Sequence, residues 1–305
     1  MQAILIPFAV AVFLYFLVSP IIDYLQVKTD MPRFLSTLTA ITVGILVGGV
    51  VLLSFFLSIK LFAPEAGRYQ EKLIGFAEVV RTTADSFGIV FDKSLIISNL
   101  SNIPVMDFIK ILTGSLVGFA GNALLVLVIL IFLLEGKDPR RKRSEKIELV
   151  TTKINRYVST KFLTSVLTGF SVWFTLFVLD VDLAGMFGVT TFLLNFIPSI
   201  GSLIAILLPL PIVALDHGLG LVFALSLAIP GVAQFTIGNI LEPKLLGEHL
   251  DLHPVIQLFS LLFWGAVWGV SGMFLAVPVT VIVKLFFEQF AFTKGIADFM
   301  AGRLS

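Results

Sequence analysis

Asn195, Ser199, Gln234, Thr236 and Asn239 are amides and hydroxyls set inside long apolar runs, beside prolines and glycines. Such groups bind by hydrogen bonding and carry no fixed charge. Asn195-Phe-Ile-Pro-Ser-Ile-Gly201 interrupts one apolar run, where Pro198 removes a backbone donor and Gly201 loosens the chain. Pro230-Gly231 and Gly238-Asn239 weaken a second run. Unpaired backbone in lipid is costly, so broken helices survive only inside protein or along a wet cavity. Freed backbone groups and half-helix dipoles make a polar ligand site that suits a neutral, hydroxyl-rich solute. For a single break, packed helices that are merely kinked account for it better; two breaks in one region favour a transport path.

Glu242-Pro243-Lys244 holds two opposite charges at a helix end. It reads either as an intramembrane or interfacial ion pair or as a loop whose charges reach water. Asp180 and Asp182 read as solvated, and Asp216-His217-Gly218 as a turn. His249 and His253 stand four apart without a third ligand nearby, so no metal centre is expected. Any of the three histidines could carry a proton. There is no P-loop, His-Glu-x-x-His or Gly-x-Ser-x-Gly, so no catalytic set, no cofactor and no built-in ATP engine is expected. Any pumping would draw on an ion gradient. With no Cys, thiol chemistry is absent and redox compartment is unreadable.

The elements that must position these groups follow from composition. Of 305 residues, 57% are hydrophobic and 13% charged, with 30 Phe and a mean hydropathy of +1.03. So little polar surface cannot cover so much apolar side chain in water. This excludes an ordinary soluble enzyme, a disordered chain and a nucleic-acid binder. It points to an all-α, polytopic membrane helix bundle with broken or re-entrant helical hairpins.

Lys and Arg number 21, yet only Lys244 lies between Phe162 and Val283. Nine fall in 137–161 against three acids, leaving +6 there. Basic loops stay cytoplasmic, which places 137–161 inside as an amphipathic helix. Six segments follow. Residues 1–62 form an N-terminal transmembrane hairpin, with Ile4–Ile22 and Phe34–Phe62 joined by the polar loop Asp23–Arg33 and the second helix opened by Pro32. Gly44 and Gly48 put two small residues on one helix face, where another backbone can approach. Residues 63–110 form a polar extracytoplasmic region. Its stripe Tyr69, Leu73, Phe76, Val80, Thr83 and Phe87 would lie on the bilayer surface or a partner helix. Residues 111–136 span again, with Gly114, Gly118 and Gly121 on one side. After 137–161, residues 162–290 form a core with broken helices, and 291–305 a tail.

Within that core, Phe162–Leu179 and Leu219–Leu241 span, and Leu183–Leu215 is two helical pieces around the Asn195 break. Glu242–His253 is a polar loop; Pro254–Trp268 and Met273–Phe287 form a shallow hairpin or two thin spans. With 137–161 inside, parity puts 63–110 outside, 23–33 inside and the N-terminus outside. If 183–215 and 254–287 both return to their own side, Lys244, Lys284, Lys294 and Arg303 fall inside, as basic residues favour.

From Asn195 to Glu288 the chain resembles the autoinducer-2 exporter (AI-2E) transporter family. The resemblance rests on Asn195-Phe-Ile-Pro-Ser-Ile-Gly201, Gly238-Asn-Ile-Leu-Glu-Pro-Lys-Leu-Leu-Gly247, Leu252-His-Pro254 and the run Leu261 to Pro278. A weaker likeness reaches back to Ile4. Family chains are usually longer, with eight hydrophobic segments and a helix ahead of the one that here begins at Ile4; such a helix is expected to be missing. The resemblance implies a bacterial inner-membrane, multi-pass exporter of small polar molecules, with autoinducer-2, a quorum-sensing signal, as namesake substrate. It also implies a homo-oligomer, a pentamer, with H⁺ or Na⁺ as coupling ion. The path residues it carries over are Asn195, Pro198, Ser199, Gly201, Gln234, Asn239, Glu242 and Lys244. Two rival readings stand beside it: a monovalent cation/proton antiporter using Glu242, and a non-transporting membrane scaffold.

Overall fold

The computed structural model describes residues 2–62, 71–72, 75, 122–135, 145–197, 200–246, 252–290 and 292–303. Among these residues every regular element is helical. The elements are α1 (Gln2–Thr29), α2 (Arg33–Phe62), α3 (Asn122–Glu135), α4 (Glu145–Val178), α5 (Ala184–Leu194), α6 (Ile200–Leu207), α7 (Leu210–His217), α8 (Leu221–Thr236), a π-turn (Ile237–Leu241), α9 (Glu242–Leu246), α10 (Pro254–Trp268), α11 (Val270–Phe287) and α12 (Lys294–Met300). Four stretches are long and apolar enough to cross a bilayer: Ile6–Thr29, Arg33–Lys60, Val150–Val178 and Leu221–Leu246. The outward faces of these and of the shorter apolar helices carry Leu46, Val50, Phe132, Phe177, Phe235 and Phe259, all exposed. In a bilayer such a surface meets a matching solvent. The fold is an all-α polytopic membrane bundle.

α1 runs seven residues past the expected end at Ile22, because Tyr24, Leu25 and Val27 continue the helix through the polar stretch. It stops where Asp30 takes φ 50° and Pro32 follows. The Pro32 carbonyl then accepts the Ser36 N–H and opens α2. Arg33 donates to the Leu134 carbonyl at 2.8 Å, which satisfies a free acceptor at the end of α3.

α4 corrects a larger expectation. The basic helix of 137–161 and the span after it are one helix from Glu145 to Val178, about 51 Å long. Val150, Ile154, Tyr157 and Val158 extend the apolar stripe of the span into the charged part. They bury against Leu252, Val281 and Leu285 and against Met300 of the tail helix α12. Residues 137–144 and most of 63–121 lie outside the described residues, as do the stripe from Leu73 to Phe87 and Gly114, Gly118 and Gly121.

α5 is held by glycines on two sides. A Cβ on Gly188 would fall 2.5 Å from the Trp173 Cβ, and one on Gly169 would fall 2.8 Å from the Gly188 carbonyl. One on Gly185 would meet the Ser58 hydroxyl at 2.6 Å. So α5 lies against α4 on one face and α2 on the other at backbone distance. By contrast, Gly44 and Gly48 have nothing within 4 Å; the close approach expected there has no partner among the described residues.

The apolar run 183–215 is three helical pieces, not two, since Leu208 and Pro209 separate α6 from α7. The expected loop at Glu242 is helical to Leu246. The expected turn at Asp216 is instead the end of α7, closed by Gly218 at φ 68°, and Asp216 pairs with Lys72 at 2.6 Å. α10 and α11 form a hairpin through Gly269 at φ 65°, tied by Trp264 Nε1 donating to Thr280 Oγ1 at 3.1 Å. α11 starts three residues earlier than expected. The tail is docked: Met300 gives its carbonyl to the His253 N–H, and His253 caps α10.

Candidate functional site

α4 carries a stripe of polar side chains on its inward face. Lys161, Thr164, Ser165 and Thr168 recur at i, i+3, i+4 and i+7, and all are buried, Thr164 and Ser165 completely. Thr168 returns its hydroxyl proton to the Thr164 carbonyl, as hydroxyls in apolar helices commonly do.

Ser165 receives a partner from the Asn195 break. α5 ends at Leu194, and the next two N–H groups, of Phe196 and Ile197, bond back only three residues, to Leu193 and Leu194. That tightened turn points Asn195 at α4, where it is 2% exposed. Its amide donates to Ser165 Oγ at 3.1 Å, and its oxygen accepts from Gln234 Nε2 of α8 at 3.2 Å. Gln234 Oε1 is buried with no partner among the described residues. A buried acceptor left unpaired costs about 1–3 kcal/mol, so the position is open to a further donor. Gly201 closes the turn: a Cβ there would overlap the Leu194 carbonyl. Ile197 of the same turn packs against Leu261 and Ala276 of the α10–α11 hairpin. Pro198 and Ser199 lie outside the described residues.

One turn along α4, Lys161 Nζ meets Glu242 Oε1 at 3.0 Å, and Thr164 donates to Glu242 Oε2 at 3.4 Å. This corrects the pairing expected for Glu242. Its partner is Lys161 on another helix, while Lys244 is exposed. Arg156 donates to the Leu245 carbonyl at 2.9 Å and holds α9 to the same helix.

The π-turn explains how one strip of chain serves both contacts. Gln234 and Glu242 are eight residues apart, which in a regular helix sets them about 80° apart around the axis. The π-turn at Ile237–Leu241 absorbs one residue, leaving them about 20° apart. Both then face α4. Asn239 lies within this turn but is exposed, and its amide bonds to the Phe235 carbonyl of its own helix. The structure therefore gathers Asn195, Gln234 and Glu242, sets Gly201 against the turn, and leaves Asn239 and Lys244 outside the group.

Sequence reading passed over Lys161, Thr164, Ser165 and Thr168. The signal was present as hydroxyls at helical spacing within an apolar span. It was obscured because Lys161 was counted with the basic segment. Chemically, the group offers an amide–hydroxyl relay with an open acceptor, beside a charge-neutral ion pair. It can hold a neutral solute by hydrogen bonds.

Comparison with known proteins agrees with this picture. The family described as AI-2E family transporter matches residues 1–292. The AI-2 transport protein TqsA of Escherichia coli strain K12 is 28% identical over 309 residues, covering 96% of this chain and 88% of that protein. A Borreliella burgdorferi protein, provisionally named a transport protein, is 26% identical over 316 residues, covering 99% of this chain and 85% of its own. YhhT of E. coli K12, named in the same provisional way, is 39% identical over 145 residues, covering 47% of this chain and 40% of that protein. A match across residues 1–292 takes in the polar stripe, the broken helix and the ion pair together: this chain belongs to the AI-2E family of transporters.

Proposed function

We propose that this chain is a secondary exporter of a small, neutral, hydroxyl-bearing solute, with an autoinducer-2-like signal as its substrate. The observation that carries the reading is the unpartnered, buried Gln234 Oε1 at the end of the Ser165–Asn195–Gln234 relay. An amide acceptor in an uncharged setting selects a donor such as a hydroxyl. Glu242 is already neutralised by Lys161, which supports a neutral cargo over a free cation at this point. The name of TqsA, an AI-2 transport protein, supports the substrate class. In this reading the protein sits in a bacterial plasma membrane as a homo-oligomer, and an H⁺ or Na⁺ gradient drives export.

The test is flux of autoinducer-2 from proteoliposomes, with and without imposed proton and sodium gradients. Wild-type protein releases the signal faster than empty vesicles. Asn195→Ala and Gln234→Ala each slow release about tenfold, the loss of one to two buried hydrogen bonds. Wild-type release equal to that of empty vesicles sinks the substrate; full activity in both variants sinks the site.

A further inference from the structure

A second polar position lies on the inward side of α8, about 80° around the axis from Gln234. Ser226, Pro230 and Gln234 follow one another at i, i+4 and i+8. Ser226 is 1% exposed, and its hydroxyl has no partner among the described residues. Elsewhere in the described helices, hydroxyls in apolar surroundings bond back to their own backbone: Ser54 to Val50, Ser58 to Ser54, Thr168 to Thr164, Thr236 to Val232. Ser226 does not. Its carbonyl is affected as well. Residue 230 is the regular donor to that carbonyl, and as proline it has no N–H to give. Ser226 therefore concentrates a free hydroxyl and a carbonyl short of its helical donor at one buried point.

α8 runs antiparallel to α4. Val222 and Phe223 pack on the cluster holding Val172 and Leu176, while Glu242 meets Lys161 at the other end. Ser226 thus faces the interior of the bundle, about 12 Å along the axis from Gln234. Both positions are uncharged, and both present oxygen.

We propose that Ser226 is a second solute-binding residue, a hydrogen-bonding station for the hydroxyl groups of a neutral polyol-like cargo, two turns along α8 from Gln234. This rests on the transport reading above and extends it to a second contact. A dehydrated cation would need about six oxygen ligands. Two oxygens at Ser226 fit a hydroxyl, which donates to one and accepts from the other.

The chain has no cysteine, so Ser226→Cys in the full protein is a clean probe in proteoliposomes. The reagent is a small, neutral, water-soluble thiol-reactive compound, and the protecting solutes are autoinducer-2 and erythritol. The expected result is that Ser226→Cys reacts, and that one or both solutes slow the reaction about threefold or more. In parallel, Ser226→Ala raises the KM for export about three- to tenfold without lowering the melting temperature, and Ser226→Thr restores it. Removing a purely structural unpaired hydroxyl would leave KM unchanged.

An inert cysteine, or one that reacts at the same rate with both solutes present, overturns the inference. Protection by erythritol with no autoinducer-2 flux leaves the Ser226 station standing and removes autoinducer-2 as the substrate. Autoinducer-2 flux that depends on Asn195 but is unchanged in Ser226→Ala does the reverse.

Discussion

Lys161 and Glu242 stand 81 residues apart in the chain and meet at 3.0 Å, with side chains only 10% and 18% exposed. Taking two charges out of water has a high cost, and each charge makes the other tolerable there. The pair fixes α9 and the π-turn against α4, immediately beside the amide relay.

Breaking this pair from one side leaves an unpaired buried charge. Glu242→Gln and Lys161→Met are each expected to cost about 3 kcal/mol, and the double variant much less than the sum. A double-mutant cycle on the melting temperature in detergent measures the coupling. Strict additivity would show that the two side chains do not stabilise one another.

The glycines separate into two groups. Gly188→Ala forces a methyl into Trp173, and Gly201→Ala forces one into the Leu194 carbonyl. Overpacking of this kind costs about 1–3 kcal/mol, and more where backbone must move. Both variants should give less monodisperse protein on size exclusion. Gly44→Ala and Gly48→Ala meet nothing among the described residues and should leave the melting temperature of the monomer unchanged.

The π-turn yields a prediction about length. Deleting exposed Ile240 removes the extra residue, so a regular helix still turns Gln234 and Glu242 toward α4. That deletion should cost about 1 kcal/mol. Deleting exposed Val232, on the other side of Gln234, rotates Ser226 and Pro230 off the interior face and should cost several times more. Thermal unfolding of the two proteins decides; equal losses would mean the π-turn sets no register.

Met300 of the tail helix is buried against Ile154, Tyr157 and Leu285. Met300→Ala is expected to destabilise by about 2 kcal/mol. Hydrogen exchange should rise along α12 and at His253, whose N–H the Met300 carbonyl accepts. Unaltered exchange at His253 would show that the tail does not hold the start of α10.

Hydrophobic runs showed where most of the described helices lie, because a membrane-length apolar segment leaves few alternatives. Pro254–Trp268 and Arg33–Phe62 match their sequence reading to within a residue. Helix ends in polar stretches were misread, at Ile22 and at Lys161, because charged residues end a span without ending a helix. The Asn195 break was legible from Pro198 and Gly201. Its partner Ser165 was not, since two residues 30 apart give no local sign of meeting. Glu242 was read only beside Lys244, as an ion pair or as two charges reaching water, for the same reason: proximity in the chain was visible, and the π-turn that aims Glu242 elsewhere was not.

The unbroken length of α4 sets a mechanical division of labour. A rod without a joint between Glu145 and Val178 cannot flex to admit or release cargo. Lys161, Ser165 and Thr168 therefore keep fixed spacings, as marks on one rigid ruler. Motion falls to the segments with joints, at Phe196–Ile197, at Leu208–Pro209 and at the π-turn. In that arrangement α4 is the stator, and the hinged half slides past its marks.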